Sequence, residues 1–315
     1  MGEDPLRKGR DVPLRDSLVA GCISGICSRA ATAPLDTVKI RLQLQHAHES
    51  KYAGVVSAFK TIIREEGLRA LWKGNTPAMS LYVAYGAVQF GGYSTFNRAL
   101  AQNDWPAQVH SCVAGGLAGV CSSMVTYPLD VLRTRFAANR DKKLFSMVQS
   151  CRSIWNTEGL SGFFKGVSTS VVSVSLATAS MFATYESIKI YCENRRNKQR
   201  RGIGILENMA SVVAGVVSKT VTFPIDTLRK RLQILNSQHL ARFTACEDLY
   251  HTYKSERILS LVVQIAKREG ISAFYRGYTL GVLKTAPATA LSLWVYDYAV
   301  KLLGKTHRSV LTCTS

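Results

Sequence analysis

Acid is scarce in this 315-residue sequence: 21 Asp and Glu stand against 40 Lys and Arg, a formal net charge of +19. Such an excess suits an anionic partner, and nucleic acid is the first candidate. The bases, however, cluster between apolar stretches and form no single stripe. Neither zinc-finger spacing nor the aromatic motif of single-strand binders occurs, so no nucleic-acid partner is expected. The eight cysteines (22, 27, 112, 121, 151, 192, 246 and 313) form no C-x-x-C and no paired ladder. They read as small apolar or loop residues of a reducing compartment. His46 and His48 are close neighbours without further ligands, which reads as a solvated loop; no metal and no cofactor are expected. No nucleophile–base set appears, which disfavours an enzyme. The opening stretch, Met1 to Asp16, mixes both charges and has no signal peptide or Arg/Ser-rich presequence, so any organellar address is expected to be internal.

What the sequence does have is a ten-residue stretch written three times. The copies are Pro34-Leu-Asp36-Thr-Val-Lys39-Ile-Arg41-Leu-Gln43, Pro128-Leu-Asp130-Val-Leu-Arg133-Thr-Arg135-Phe-Ala137 and Pro224-Ile-Asp226-Thr-Leu-Arg229-Lys-Arg231-Leu-Gln233, their prolines separated by 94 and then 96 residues. A period of this kind decides architecture before anything else. In each copy an acid precedes a base by three residues, so both project from one helical face. The proline kinks that helix, because it lacks an N–H and crowds the preceding turn. A second mark follows each copy: Glu66-Gly67 with Trp72-Lys73-Gly74, Glu158-Gly159 with Phe164-Lys165-Gly166, and Glu269-Gly270 with Tyr275-Arg276-Gly277. The interval from proline to first glycine is 33, 31 and then 46 residues, so the third repeat carries an insertion around Gln238 to Arg257.

Each repeat holds two long apolar segments and a shorter amphipathic one. The odd segments run from about Leu14 through Pro34 to Gln45, with counterparts in the other repeats. They contain Gly21-x-x-x-Gly25, Gly115-x-x-x-Gly119 and Ser211-x-x-x-Gly215, a spacing that membrane helices use for close packing. The even segments run over about Asn75–Ala99, Val167–Tyr191 and Tyr278–Leu303. About 20 residues cross a bilayer core, so all six are long enough. Their modest hydropathy predicts that they line something wet as well as touch lipid. The stretches Val55–Glu65, Met147–Thr157 and Ile258–Arg268 have helical apolar spacing and end at Glu-Gly, which predicts helices lying on the membrane surface. A soluble helical-repeat scaffold is the alternative of another class; the repeat is about twice the usual length for one. Basic residues flank both ends of the segments, including Arg195 to Arg201, so charge bias leaves the orientation open.

With these motifs in hand, the chain resembles the mitochondrial carrier family over essentially its whole length. The family signature, P-x-[DE]-x-x-[KR]-x-[KR] followed by [DE]-G-x-x-x-x-[FWY]-[KR]-G, is met in all three repeats. The resemblance implies an all-α membrane protein of six tilted transmembrane helices in three pseudo-threefold repeats, with three short matrix-side surface helices. The repeats are placed at 12–100, 104–192 and 203–304. It further implies the mitochondrial inner membrane, both termini toward the intermembrane space, antiport of a solute, a monomer, and cardiolipin at the matrix helices. The shorter stretches Lys39–Leu44, Tyr85–Phe90, Asp130–Arg135 and Lys284–Pro287 are most similar to members that carry thiamine pyrophosphate, which implies that solute.

Alternating access needs two gates and a central site. On the resemblance, the matrix gate pairs Asp36 with Arg133, Asp130 with Arg229, and Asp226 with Lys39; Gln43 and Gln233 can brace two pairs, and Ala137 cannot brace a third. A purely structural role for these charges is the alternative. The cytoplasmic-side gate motif, [FY]-[DE]-x-x-[KR], is complete only at Tyr185-Glu186-Ser-Ile-Lys189. It leaves Lys189 with Asp297 as one ion pair and Asn97 with Glu186 as a hydrogen bond. For the substrate, thirteen residues back from each even-helix gate position lie Leu81, Ser173 and Lys284, and one step on lie Tyr82, Val174 and Thr285. Five residues before each signature proline lie Arg29, Ser123 and Lys219. Arg29, Lys219 and Lys284 supply positive charge with no acid at the matching positions, which suits a diphosphate. The apolar and small positions beside them suit a ring system. Tyr82 or Tyr85 could stack on it, or could simply pack between helices. Coenzyme A or an adenine nucleotide is the alternative cargo.

Overall fold

The computed structural model describes residues 14–45, 52, 54–101, 106–139, 147–196, 204–235 and 258–313. His46, His48 and the insertion near Gln238 to Arg257 lie outside the described residues, as do Lys198, Arg200 and Arg201. Among the described residues every regular element is helical.

The signature proline sits within each odd segment. Helix α1 (Leu14–Leu44) carries Pro34 inside it, and α8 (Gly204–Ile234) carries Pro224. In the second repeat the segment breaks at Thr126 into α4 (Ala107–Val125) and α5 (Tyr127–Ala138), bent by 60°. Pro128 falls in the first turn of α5, where its missing N–H costs no hydrogen bond. The even segments are α3 (Asn75–Leu100), α7 (Val167–Arg196), and a third broken at Lys284 into α10 (Tyr278–Leu283) and α11 (Thr285–Cys313). Between odd and even segments lie α2 (Val55–Glu66), α6 (Met147–Phe163) and α9 (Ile258–Glu269). The second is interrupted at its glycine: α6 breaks in a kink at Gly159, whose φ of +65° and ψ of −160° are non-helical.

Among the described residues, Val167–Arg195 is the one helix long and apolar enough to cross a bilayer by itself; Val109–Val125 with Tyr127–Ala138 passes as a bent pair. In α1 the signature charges Asp36, Lys39 and Arg41 fall within one turn and a half and dilute the apolar run.

By its internal contacts the chain forms two units. The first joins the chain up to Pro34 with the chain from Leu283 onward; the second is Leu35–Val282. Within the first, α1 meets α11 through hydroxyls. Ser24 Oγ lies 2.9 Å from Ser292 Oγ, and Ser28 Oγ donates to the Ala288 carbonyl at 2.9 Å. Within the second, the surface helices α2 and α9 pack on the parts of α1 and α8 that follow the signature proline. Ala58 and Ile62 of α2 are buried with Val38 and Leu42 of α1. Leu261 and Ile265 of α9 are buried with Leu228 and Ile234 of α8. Full burial of each of these valine, leucine and isoleucine side chains is worth about 1.5–3 kcal/mol. The opposite faces expose Val56, Ile63, Leu259 and Val263, which is the amphipathic split of a helix lying at an interface.

Glycine at position 74 is demanded twice over. Its φ is +83°, and a Cβ there would sit 2.8 Å from the Arg133 carbonyl oxygen, so α3 starts hard against α5. The small-residue pairs behave differently from the close-packing reading of the sequence. A Cβ on Gly21, Gly25, Gly115 or Gly215 would meet nothing within 4 Å, whereas one on Gly119 would lie 3.2 Å from Val174 Cγ1. In the first unit the hydroxyls of Ser24 and Ser28, not the glycines, make the helix contact.

Candidate functional site

The functional charges follow from the second base of each signature copy. Arg41, Arg135 and Arg231 each grip the acid of their own repeat's second mark. Arg135 bonds Glu158 at 2.6 and 2.8 Å, and Arg231 bonds Glu269 at 2.6 and 3.0 Å. Arg41 does the same to Glu66, with Nη2 to Oε2 at 2.8 Å and Nη1 to Oε1 as the second bond. Lys73 and Lys165 add a second cation to Glu66 and Glu158, each at 2.6 Å. The spare N–H groups cross to the next repeat. Arg41 Nε donates to the Ala137 carbonyl at 3.0 Å, Arg135 Nε to Gln233 at 3.1 Å, and Arg231 Nε to Gln43 at 3.2 Å. These carbonyls belong to helix ends that lack intrahelical donors. Each arginine therefore caps the next repeat's kinked helix, and the third closes back on the first. Burial pushes the Glu66 and Glu158 carboxyls up, but the bonds from Arg41 and Lys73, and from Arg135 and Lys165, outweigh it and hold both below the usual range. Burial lowers the Arg276 guanidinium. Breaking one partner of such a buried pair costs about 3–5 kcal/mol.

The first bases and their acids form a second layer. Arg133 Nη2 bonds Asp36 at 2.8 Å, and Arg229 Nη2 bonds Asp130 at 3.0 Å. Asp130 also accepts Lys230 Nζ on both oxygens at 3.0 Å and Gln233 Nε2 at 2.6 Å. Asp226 accepts Lys219 Nζ at 2.8 Å and Ser173 Oγ at 2.8 Å. Lys39 acts on Asp226 through its charge, while its ammonium lies 5.1 Å from the Phe223 ring centroid. The other two bases also face aromatics: Arg229 lies 5.1 Å from Tyr127 and Arg133 lies 5.9 Å from Tyr82. This is close enough for cation–π attraction.

Known proteins share this organisation. The family model described as "Mitochondrial carrier protein" matches residues 10–104, 104–196 and 205–307. The chain belongs to the mitochondrial carrier family. It is thus a transporter of the mitochondrial inner membrane, with the all-α, three-repeat fold of that family. Curated relatives named "Mitochondrial thiamine pyrophosphate carrier 1" align almost end to end. That of Kluyveromyces lactis is 47% identical over 314 residues, covering 97% of this chain and 96% of its own. That of Eremothecium gossypii is 45% identical over 305 residues, covering 97% and 94%. That of Saccharomyces cerevisiae (strain S288c) is 43% identical over 307 residues, covering 96% and 98%.

In this carrier the residues read from the sequence as substrate contacts are distributed over both units. Arg29 of α1, Lys284 at the break between α10 and α11, and Thr285 belong to the first; Leu81, Tyr82, Ser173, Val174 and Lys219 belong to the second. Lys219, read from the sequence as a cation of the substrate site, is ion-paired to the gate acid Asp226. Lys219 and Asp226 are seven residues apart on α8, two turns along one face, a gap that the long lysine stem spans. Ser173, read as a small position beside a ring, is buried and donates to the same carboxylate. Ser123 is bonded to Ser170 of α7 at 2.5 Å. Val174 packs at Gly119, and Tyr82 stands by Arg133.

Of the two bracing glutamines, Gln233 reaches a gate carboxylate, whereas Gln43 Nε2 donates to Thr227 Oγ1 at 3.3 Å. On the other gate, Lys189 Nζ lies 5.4 Å from the Tyr185 ring centroid. The Asn97–Glu186 bond is not formed among the described residues; Asn97 is exposed and Glu186 half-buried. Sequence reasoning missed Lys230, Tyr127 and Phe223. The signals were there: a third consecutive base after Arg229, and an aromatic just before the signature proline in two repeats of three.

Proposed function

We propose that this carrier takes thiamine pyrophosphate into the matrix by alternating-access exchange for another phosphorylated solute. The observation that carries the reading is the end-to-end likeness, at 43–47% identity, to relatives named for that solute. Arg29, Lys219 and Lys284 are the proposed phosphate contacts, with Leu81, Tyr82, Ser173, Val174 and Thr285 beside them. Asp36, Lys39, Asp130, Arg133, Asp226, Arg229, Gln43 and Gln233 form the proposed matrix gate; Asn97, Glu186, Lys189 and Asp297 form the opposite one. The carrier works as a monomer of three repeats (12–100, 104–192 and 203–304), with both termini toward the intermembrane space and cardiolipin at α2, α6 and α9. The exposed apolar faces of α2 and α9 support the last point.

The test is uptake. Purified protein in liposomes preloaded with thiamine pyrophosphate, thiamine monophosphate, ADP or coenzyme A is offered labelled thiamine pyrophosphate. Exchange supports the reading. Exchange of adenine nucleotides or coenzyme A alone replaces the cargo with one of the alternatives.

A further inference from the structure

We infer that Lys219 is shared between the phosphorylated solute and the gate carboxylate Asp226, so that binding of the anion itself loosens this part of the matrix gate. The inference rests on the proposed role of Lys219 as a phosphate contact and adds the coupling between that contact and the gate.

Three observations meet here. Lys219 Nζ bonds Asp226 Oδ2 at 2.8 Å, and the lysine side chain is 38% exposed while the carboxylate is 20% exposed. The lysine is therefore only partly covered while it holds the gate carboxylate, which leaves room for an incoming anion to reach it. Ser173, from the facing helix α7, donates to the second oxygen, Oδ1, at 2.8 Å. The carboxylate is thus held by two groups from the level above the signature, where the solute contacts are proposed.

The other gate joint of this unit with a second cation is built the opposite way. Asp130 takes its extra lysine from Lys230, four residues further along α8 than Asp226, and that ammonium is shut in by Thr134 Oγ1 at 2.9 Å and Gln233 Oε1 at 3.2 Å. The position matching Lys219 in the second repeat is Ser123, which is occupied with Ser170. The second cation on Asp130 is thus part of a closed network, and the one on Asp226 is half open.

Electrostatics then fixes the direction of the effect. A phosphate with two or more negative charges competes with a single carboxylate for Lys219. When the ammonium turns to the phosphate, Asp226 keeps Ser173 and the charge of Lys39 but loses its 2.8 Å bond to Lys219. A solute too weakly charged to draw Lys219 away leaves the joint intact, so this lysine makes gate opening conditional on a polyanion.

The experiment is a double-mutant cycle on binding, read by titration with thiamine pyrophosphate and, in parallel, with ADP. Asp226→Asn frees Lys219 and should tighten binding roughly two- to fivefold, the scale of releasing one partly exposed ion pair. In a Lys219→Gln background the same Asp226→Asn change should give no gain. A gain of equal size with and without Lys219 overturns the inference. A second measurement needs no mutant to fold: carbodiimide joins paired amine and carboxylate in the unmutated carrier, and mass spectrometry reads the Lys219–Asp226 cross-link. Saturating solute should protect against the cross-link; unchanged cross-linking overturns the inference. If ADP binds and thiamine pyrophosphate does not, the cargo reading falls while the cycle on ADP still decides the sharing of Lys219.

Discussion

Lys230 Nζ donates to both oxygens of Asp130, at 3.0 Å each, from the position next to the signature base Arg229. One carboxylate thus holds two cations side by side, and Gln233 and Thr134 complete the cluster. Such a cluster is tolerated because the charges and the polar atoms around them are paired.

Asp130→Asn should therefore be worse than Lys230→Met. The first leaves Arg229 and Lys230 facing each other without their anion; the second leaves Asp130 with Arg229 and Gln233. Losing the lysine should cost about 1.5–3 kcal/mol. The double variant should recover part of the loss seen in Asp130→Asn. Unfolding temperatures of the purified proteins check the ranking.

The two glutamines should separate. Gln233→Ala removes a bond to a carboxylate and should cost about 1.5–3 kcal/mol, whereas Gln43→Ala removes a bond to a hydroxyl and should cost about 0.5–1.5 kcal/mol. Equal losses would mean that the contacts of Gln233 with Asp130, Lys230 and Thr134 together add nothing beyond an ordinary hydrogen bond.

The Arg–Glu ring should give a defined acid sensitivity. Glu66 and Glu158 are held below the usual carboxylate range in the folded protein. Their contribution is fully present above the unfolded value of about 4.3 and is lost as pH falls through the lower folded values. Glu158→Gln should be destabilised relative to the unmutated carrier at neutral pH, and the gap between the two should narrow as the medium is acidified below that value. A constant gap from neutral to acid pH would show that the charge on Glu158 is not what the ring uses.

Lys284→Ala and Arg29→Ala should cut transport far more than folding. Loss of a charge-assisted contact of about 1.5–3 kcal/mol corresponds to roughly ten- to more than a hundredfold in affinity. Undiminished uptake by stable Lys284→Ala protein would remove that residue from the site.

The empty carrier should rest with its matrix gate closed. Asp36–Arg133 and Asp130–Arg229 are formed in this structure, while Asn97 and Glu186 are not joined. If two more pairs favour one side at about 0.5–1 kcal/mol each, the bias is about 1–2 kcal/mol, roughly five- to thirtyfold in population. Lys284→Cys in a carrier otherwise free of cysteine should react readily with an impermeant thiol reagent from the intermembrane-space side, and less so after Asp226→Asn. Preferential reaction from the matrix side would reverse the assignment.

The sequence by itself determined the elements and their order. Threefold repetition of the proline-centred stretch located the kinked helices, and the Glu-Gly marks located the ends of α2 and α9 to within a residue, because helical period and glycine's positive φ are local properties. The i, i+3 spacing put each acid and base on one face. What it could not decide was which further groups each acid takes. That depends on groups brought in by other helices and by more distant turns of the same helix: Lys230 beside Asp130, Ser173 and Lys219 on Asp226, Thr227 on Gln43. A carboxylate takes the donors that packing leaves within about 3 Å of it, and only the tertiary structure sets those distances.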